Sequence, residues 1–285
     1  MSLLNHERLC EGIAAEAGAF AKALSFVELD RMSPTCPEWT AGQLIVHLHQ
    51  ALGWAAELVE TQAPAFRPPA GAVEGAGTGA TDWTAAVAEL AKDSPGRMDE
   101  DGEQVYDWLL DQADRLVAAL RAAGPQGPVW TPFGPHLADF WASWAVMETA
   151  VHRADAELLA GRDFVLDAAL SQDSIDYWLR SLADPATAPF FDPRVANLAG
   201  TGQTLLFRVT DPVRDTADSW LITRTPDGPQ TVVAPPAGTA ADVTVTGPAA
   251  QLLLLLKRRA PIDDSEVAVT GEAALLRHWV ENALT

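Results

Sequence analysis

Apolar residues recur at three- and four-residue steps through most of the first 160 positions, the spacing of helices that bury one stripe. Residues 4–27 form an Ala-rich segment of this kind, followed by the turn SPTCPEWT. Thr40-x-x-Gln43 then has the form of a capping box, in which the Thr40 side chain caps the Gln43 N–H and Gln43 reaches back. Trp39 and Leu44 occupy the two positions of a hydrophobic staple around it. This start predicts a helix over 41–61. A third helix is predicted over 103–123, stopped by Gly124-Pro125, and a fourth over 136–160, stopped by Gly161. The intervening stretch 62–102 is rich in Pro and Gly, with one short helical pattern near 83–92. Four helices with one long crossover suggest a four-helix bundle.

Beyond about residue 165 the pattern changes. A helical segment over 167–183 leads through a Pro-rich link to the runs QTLLFRVT, SWLITRT and QTVVA, with the turn Pro226-Asp227-Gly228 between the last two. DVTVT alternates with a period of two and ends at Gly247-Pro248, where Pro248 suits the first turn of a helix. The leucine block Leu252–Leu256, a strand EVAVT and a closing helix EAALLRHWVENAL complete the pattern. The expectation is a two-domain α+β chain: a helical bundle over 1–162 and a small α+β domain with a mainly antiparallel sheet over 163–285.

A length of 285 residues with 48% hydrophobic and 20% charged residues suits a soluble globular protein. The longest apolar run is far short of the roughly 18 residues of a membrane span. The N-terminus shows no basic segment followed by an apolar one, so a cytoplasmic protein is expected. The net charge of −20 argues against nucleic acid and against anionic membranes. A small anionic substrate would therefore need a local arginine to hold it. Two cysteines, Cys10 and Cys36, are too few for a disulfide framework and form no CxxC pair.

The chemistry concentrates on two helix faces. Trp141, Trp144, Ala145, Glu148, Val151 and His152 share one side of the fourth helix; Leu44, His47, Leu48, Ala51, Trp54 and Leu58 share one side of the second. Glu148 and His152 stand four residues apart, as the ligands of HExxH do. His47, Glu148 and His152 thus aim into one interior, and a buried carboxylate is costly unless compensated. Two imidazoles and a carboxylate form a ligand set for zinc with an open position, or for non-haem iron. Hydrogen-bonded core histidines and a buried ion pair are the alternative that spacing leaves open. His49 falls on the outer face, His6 and His278 in terminal helices, and His136 near a helix start. Asp155, three residues past His152, could hydrogen bond it, or contact the helix alone. Arg153 could reach the rim or form a solvated ion pair.

The segments CPEWTAGQLIVHL, FWASWAVMETAVHRADAE and ADVTVTGPAAQLLLLLKRRAP resemble signature regions of the mycothiol-dependent maleylpyruvate isomerase family, whose helical domain is of the DinB-like metal-binding type. The resemblance implies a DinB-like four-helix bundle with a sterol-carrier-like C-terminal domain. It implies metal ligands at His47, Glu148 and His152, a divalent metal (zinc by preference) and mycothiol as the thiol cofactor. The implied reaction is thiol addition to a small electrophile, with cis–trans isomerisation of an unsaturated acid. A thiol S-transferase and a non-catalytic binding protein, as monomer or homodimer, are the other readings. Where relatives often carry arginines on the fourth helix, this chain reads ASWAVM. The substrate cation is therefore expected at Arg259, which falls on the arginine that ends the leucine-rich helix in relatives; Lys257, Arg258 and Arg259 could instead complement that helix end.

Overall fold

The computed structural model describes residues 2–37, 39–68, 102–190, 192–213, 218–263 and 266–283. The helical pattern predicted near 83–92 lies outside them. The chain divides into two compact units: Asn5–Val165 and, with Ser2–Leu4, Leu166–Thr285.

The first unit holds α1 (His6–Leu24), α2 (Ala41–Glu60), α3 (Gly102–Ala123) and α4 (Ala138–Leu159). Asn5 caps α1 by accepting the Arg8 N–H at 2.9 Å. The capping box of α2 is present in both halves: the Gln43 N–H reaches the Thr40 hydroxyl at 3.2 Å, and the Thr40 N–H reaches the Gln43 side-chain oxygen at 2.8 Å. Helices α3 and α4 stop at Gly124 and Gly161, whose φ values of 65° and 69° are left-handed. Helix α4 starts two residues later than predicted. His136 and Leu137 are instead extended, with Leu137 bridged to Pro128 and the His136 carbonyl accepting from Val129. Helix α1 packs on α4 and α3, and α2 on α3 and α4. The stripes read from the sequence meet there: Leu9, Ile13, Phe20, Leu44, Leu48, Leu116 and Ala145 are fully buried, and Trp141 nearly so.

The second unit holds α5 (Ala168–Ala183), two 3₁₀ turns (Pro185–Phe190 and Pro193–Leu198), five strands, α6 (Ala249–Leu256) and α7 (Ala273–Asn282). The strands are β1 (Thr204–Val209), β2 (Ser219–Thr225), β3 (Gly228–Val233), β4 (Val243–Gly247) and β5 (Ala268–Gly271). Their order is β3-β2-β1-β4-β5, antiparallel except for the parallel pair β1–β4. In register, Phe207 faces Trp220 on one side and Val245 on the other. All three are buried, as are the leucines of α6, which packs on β4 and β1. Strand β3 begins earlier than QTVVA, because the two-residue turn Pro226-Asp227 pairs Thr225 directly with Gly228. Strand β5 is shorter than EVAVT and ends at Gly271. A Cβ there would lie 2.1 Å from the Asp242 carbonyl oxygen, so only glycine fits. Pro248 is the N-cap of α6, one position before the first-turn role expected for it.

Helix α6 ends in a Schellman motif. Arg258 adopts φ 62°, its N–H bonds to the Leu255 carbonyl at 3.1 Å, and the Arg259 N–H bonds to that of Leu254 at 2.7 Å. No helix among the described residues is long and apolar enough to cross a membrane.

Candidate metal centre

Helix periodicity turns Glu148 and His152 to the same side of α4, and α2 brings His47 against them. Glu148 Oε1 lies 2.9 Å from His47 Nε2 and 3.5 Å from His152 Nε2. The three ligand atoms that these side chains offer lie within 4.8 Å of one another. Tetrahedral zinc at bond lengths near 2.0–2.1 Å separates its ligand atoms by about 3.3 Å. The two measured edges bracket that value, so the residues fit a small divalent cation.

The surroundings orient the set. His152 Nδ1 lies 2.9 Å from Asp155 Oδ2, which leaves Nε2 turned toward Glu148. The Trp39 ring lies 4.6 Å from the His47 ring and is stacked over that of His152 at 6.1 Å. Burial pushes His47 below the ordinary histidine value, favouring the neutral imidazole whose lone pair can ligate. Burial opposes charge on His152 as well, but its hydrogen bonds to Asp155 and Glu148 outweigh that and raise it. For Glu148, burial works against ionisation, while hydrogen bonds from His152 and His47 prevail and hold it well below the usual carboxylate range. With protons alone, His152 can donate Nδ1–H to Asp155 while His47 donates Nε2–H to Glu148. A divalent cation held by His47, Glu148 and His152 would take the place of the proton between His47 and Glu148.

Of the three residues picked from the helix faces, the structure brings all together. The remaining histidines go elsewhere. His49, expected on the outer face, instead stacks on Trp108 of α3, with Nδ1 2.9 Å from its carbonyl oxygen. His136 Nδ1 accepts the Thr131 N–H at 3.1 Å and closes a turn. Arg153 does not form a solvated pair. Its Nε lies 2.7 Å from Glu16 Oε2 on α1 with both side chains largely buried, and its guanidinium sits 4.7 Å over the Phe164 ring. Arg259 belongs to the second unit, where Nη1 donates to the Lys257 carbonyl at 2.7 Å. Lys257 is not a helix-end charge in water: it is buried, with Nζ 3.6 Å over the Trp178 ring. The sequence reading missed Thr35, Cys36 and Trp39 as neighbours of the site. In the sequence Trp39 fits a staple, and the signal for its second role is its place in a turn that leads directly into the helix of His47.

Residues 10–157 match the family described as Mycothiol maleylpyruvate isomerase N-terminal domain. Residues 169–278 match the MDMPI C-terminal domain. The chain belongs to the mycothiol maleylpyruvate isomerase family. His47, Glu148 and His152 lie within the first matched segment and Arg259 within the second. Among solved structures, one of the mycothiol-dependent maleylpyruvate isomerase aligns with a TM-score of 0.54 at 17% identity, over 95% of this chain and 97% of that one. A variant of that isomerase with one histidine changed to alanine aligns over the same shares, at 0.54 and 16% identity. At such identity the likeness concerns the fold. A comparison with curated proteins finds no match.

Proposed function

We propose that this member of the family is a mycothiol-dependent isomerase of a small unsaturated acid, with one divalent cation, zinc by its donor set, held by His47, Glu148 and His152. The convergence of the three ligand atoms carries the reading. When bound, such a cation supplies the Lewis acidity that takes the proton off a coordinated thiol at neutral pH. The chain's own groups prepare the place. Glu148 is kept ionised, His47 is kept neutral by burial, and Trp39 covers one flank of both rings.

The protein's own thiols are poorly suited to be the nucleophile. Cys10 is fully buried, and burial pushes its thiol up to about 11. Cys36 directs its S–H to Asp155 Oδ2 at 3.5 Å. An external thiol is therefore expected to be required. The test pairs elemental analysis of the wild type and His152→Ala with turnover, with and without mycothiol, of the wild type and the Cys10→Ser/Cys36→Ser double variant. One metal per wild-type chain, lost in His152→Ala, and thiol-dependent turnover that survives the double substitution are expected. Equal metal in both proteins would sink the ligand assignment. Net consumption of thiol would make the protein a transferase on the same scaffold.

Arg259 is the proposed partner of the substrate carboxylate, because a guanidinium offers a bidentate fork to such a group. Its bond to the Lys257 carbonyl supports the competing role of closing the helix end. Arg259→Ala is expected to lower kcat/KM about tenfold, or about 1.4 kcal/mol of transition-state binding, with metal content intact. Unchanged kinetics would leave it as a helix-end residue.

A further inference from the structure

We infer that Asp155 and Thr35 are positioning residues that tie the loop before α2 to the orientation of His152, so that the metal centre and its Trp39 wall are set by one carboxylate. The inference rests on the metal reading of the triad and extends it to residues outside the ligand set. Asp155 is fully buried, where an ionised carboxylate is costly without donors. Its Oδ2 lies 2.9 Å from His152 Nδ1 and accepts the Cys36 S–H at 3.5 Å, and its Oδ1 accepts the Thr35 hydroxyl at 2.5 Å. One carboxylate on α4 thus grips both His152 and a loop that lies 120 residues earlier in the chain.

The loop is a closed unit. Met32 bridges Thr40, the Ser33 N–H bonds to the Trp39 carbonyl, and the Trp39 N–H bonds to that of Cys36, both at 2.9 Å. The Cys36 N–H donates to the Ser33 hydroxyl at 3.2 Å. Fixing Thr35 and Cys36 therefore fixes Trp39, whose ring lies over those of His47 and His152. On the other side of His152, accepting the Nδ1 proton leaves the Nε2 lone pair for the cation. That is the tautomer the site needs. A carboxylate placed only to cap a helix contact would not have to meet His152 and the loop at once.

The experiment uses the full chain and measures Zn²⁺ affinity by competition with a chelator. It also follows the His152 ring nitrogens by NMR of the metal-free protein, above the pH range in which histidine is charged. Wild-type His152, assigned by comparison with His152→Ala, is expected to carry its proton on Nδ1. Asp155→Ala is expected to lose that preference and to bind Zn²⁺ roughly 10–100-fold more weakly. Asp155→Asn, whose amide oxygen still accepts a hydrogen bond from Nδ1–H, is expected to recover part of both. Thr35→Val, which removes one clamp, is expected to weaken binding several-fold in a metal-free protein that still melts cooperatively. Wild-type binding undiminished in Asp155→Ala and Thr35→Val would overturn the positioning role alone. If Asp155→Ala fails to fold, undiminished binding by Thr35→Val, with no Nδ1 preference in the wild type, overturns it equally. A wild type that binds no Zn²⁺ would overturn the metal reading and this inference with it.

Discussion

Glu148 in the helical unit and Asp176 in the α+β unit are both carboxylates inside apolar surroundings with two close partners, yet their pKa values move in opposite directions. Asp176 accepts the Trp220 indole N–H at 3.1 Å and pairs with Arg180 at 2.6 Å. Burial still pushes its carboxyl above the usual value. Glu148 has two imidazoles and is held well below that value. The partners also differ in what they can do besides donate. A guanidinium and an indole have no lone pair to give to a cation, whereas each imidazole does. Partner number thus says little about function. Partner chemistry separates a carboxylate that can only be a strut from one that could join a ligand set.

The largest effect should come from breaking each cluster in turn. Glu148→Ala is expected to lower Zn²⁺ affinity by more than about two orders of magnitude, beyond the 10–100-fold typical of outer partners. Asp176→Ala should leave metal content at the wild-type level and instead cost about 1–3 kcal/mol of stability, because the Trp220 N–H loses its acceptor in a fully buried site. Metal titration and thermal melts of both variants measure this. Equal loss of metal in the two would erase the distinction.

Acidification separates the clusters next. Protons compete with a cation for imidazole, so bound metal should be released as pH falls through roughly 7 to 5. Equilibrium dialysis at stepped pH reads this directly. The Asp176 cluster holds no imidazole, and Asp176→Asn should leave the release curve where it is.

His6 supplies the smallest and sharpest contrast. It too meets a carboxylate, with Nδ1 3.3 Å from Asp139 Oδ1, but its Nε2 lies 2.9 Å from the Leu120 carbonyl. Both nitrogens then face acceptors, and the ring has nothing left for a metal. The Asp139 hydrogen bond raises its pKa above the ordinary 6.5, against the opposing effect of burial. A raised histidine contributes stability in full below its unfolded value, and loses that contribution as pH rises through the folded one. His6→Gln should therefore cost more stability near pH 5 than above pH 8. Denaturant melts at the two pH values would show it, and metal content should not change at either.

Much of the helical unit was legible in the sequence, because the capping box, the glycine stops and the apolar stripes are local signals. Glu148 and His152 could be paired from spacing alone, being one helical turn apart. His47 needed the further step of matching faces on two helices, and the family resemblance supplied the same three residues. Arg153 and His49 were misplaced because spacing tells which side of a helix a residue occupies but not which neighbour waits there. Glu16 on α1 and Trp108 on α3 waited for these two. Thr35 and Cys36 were out of reach for a related reason: their partner Asp155 is distant in sequence, and no periodicity links a turn to a helix so far away. In the second unit the strands were visible by alternation. The parallel β1–β4 pair was not, since alternation carries no direction.

The separation of 101 positions between His47 and Glu148 has a thermodynamic consequence. An opened chain retains only the two groups on α4, so a cation that needs all three binds the folded state almost exclusively. Mass action then makes the apparent stability of the helical unit a function of free-ion concentration. At a hundred times the dissociation constant the gain is about 2.7 kcal/mol, comparable to a well-placed core side chain. Under the proposed ligand set, lowering free zinc would loosen this fold as well as empty the proposed metal centre.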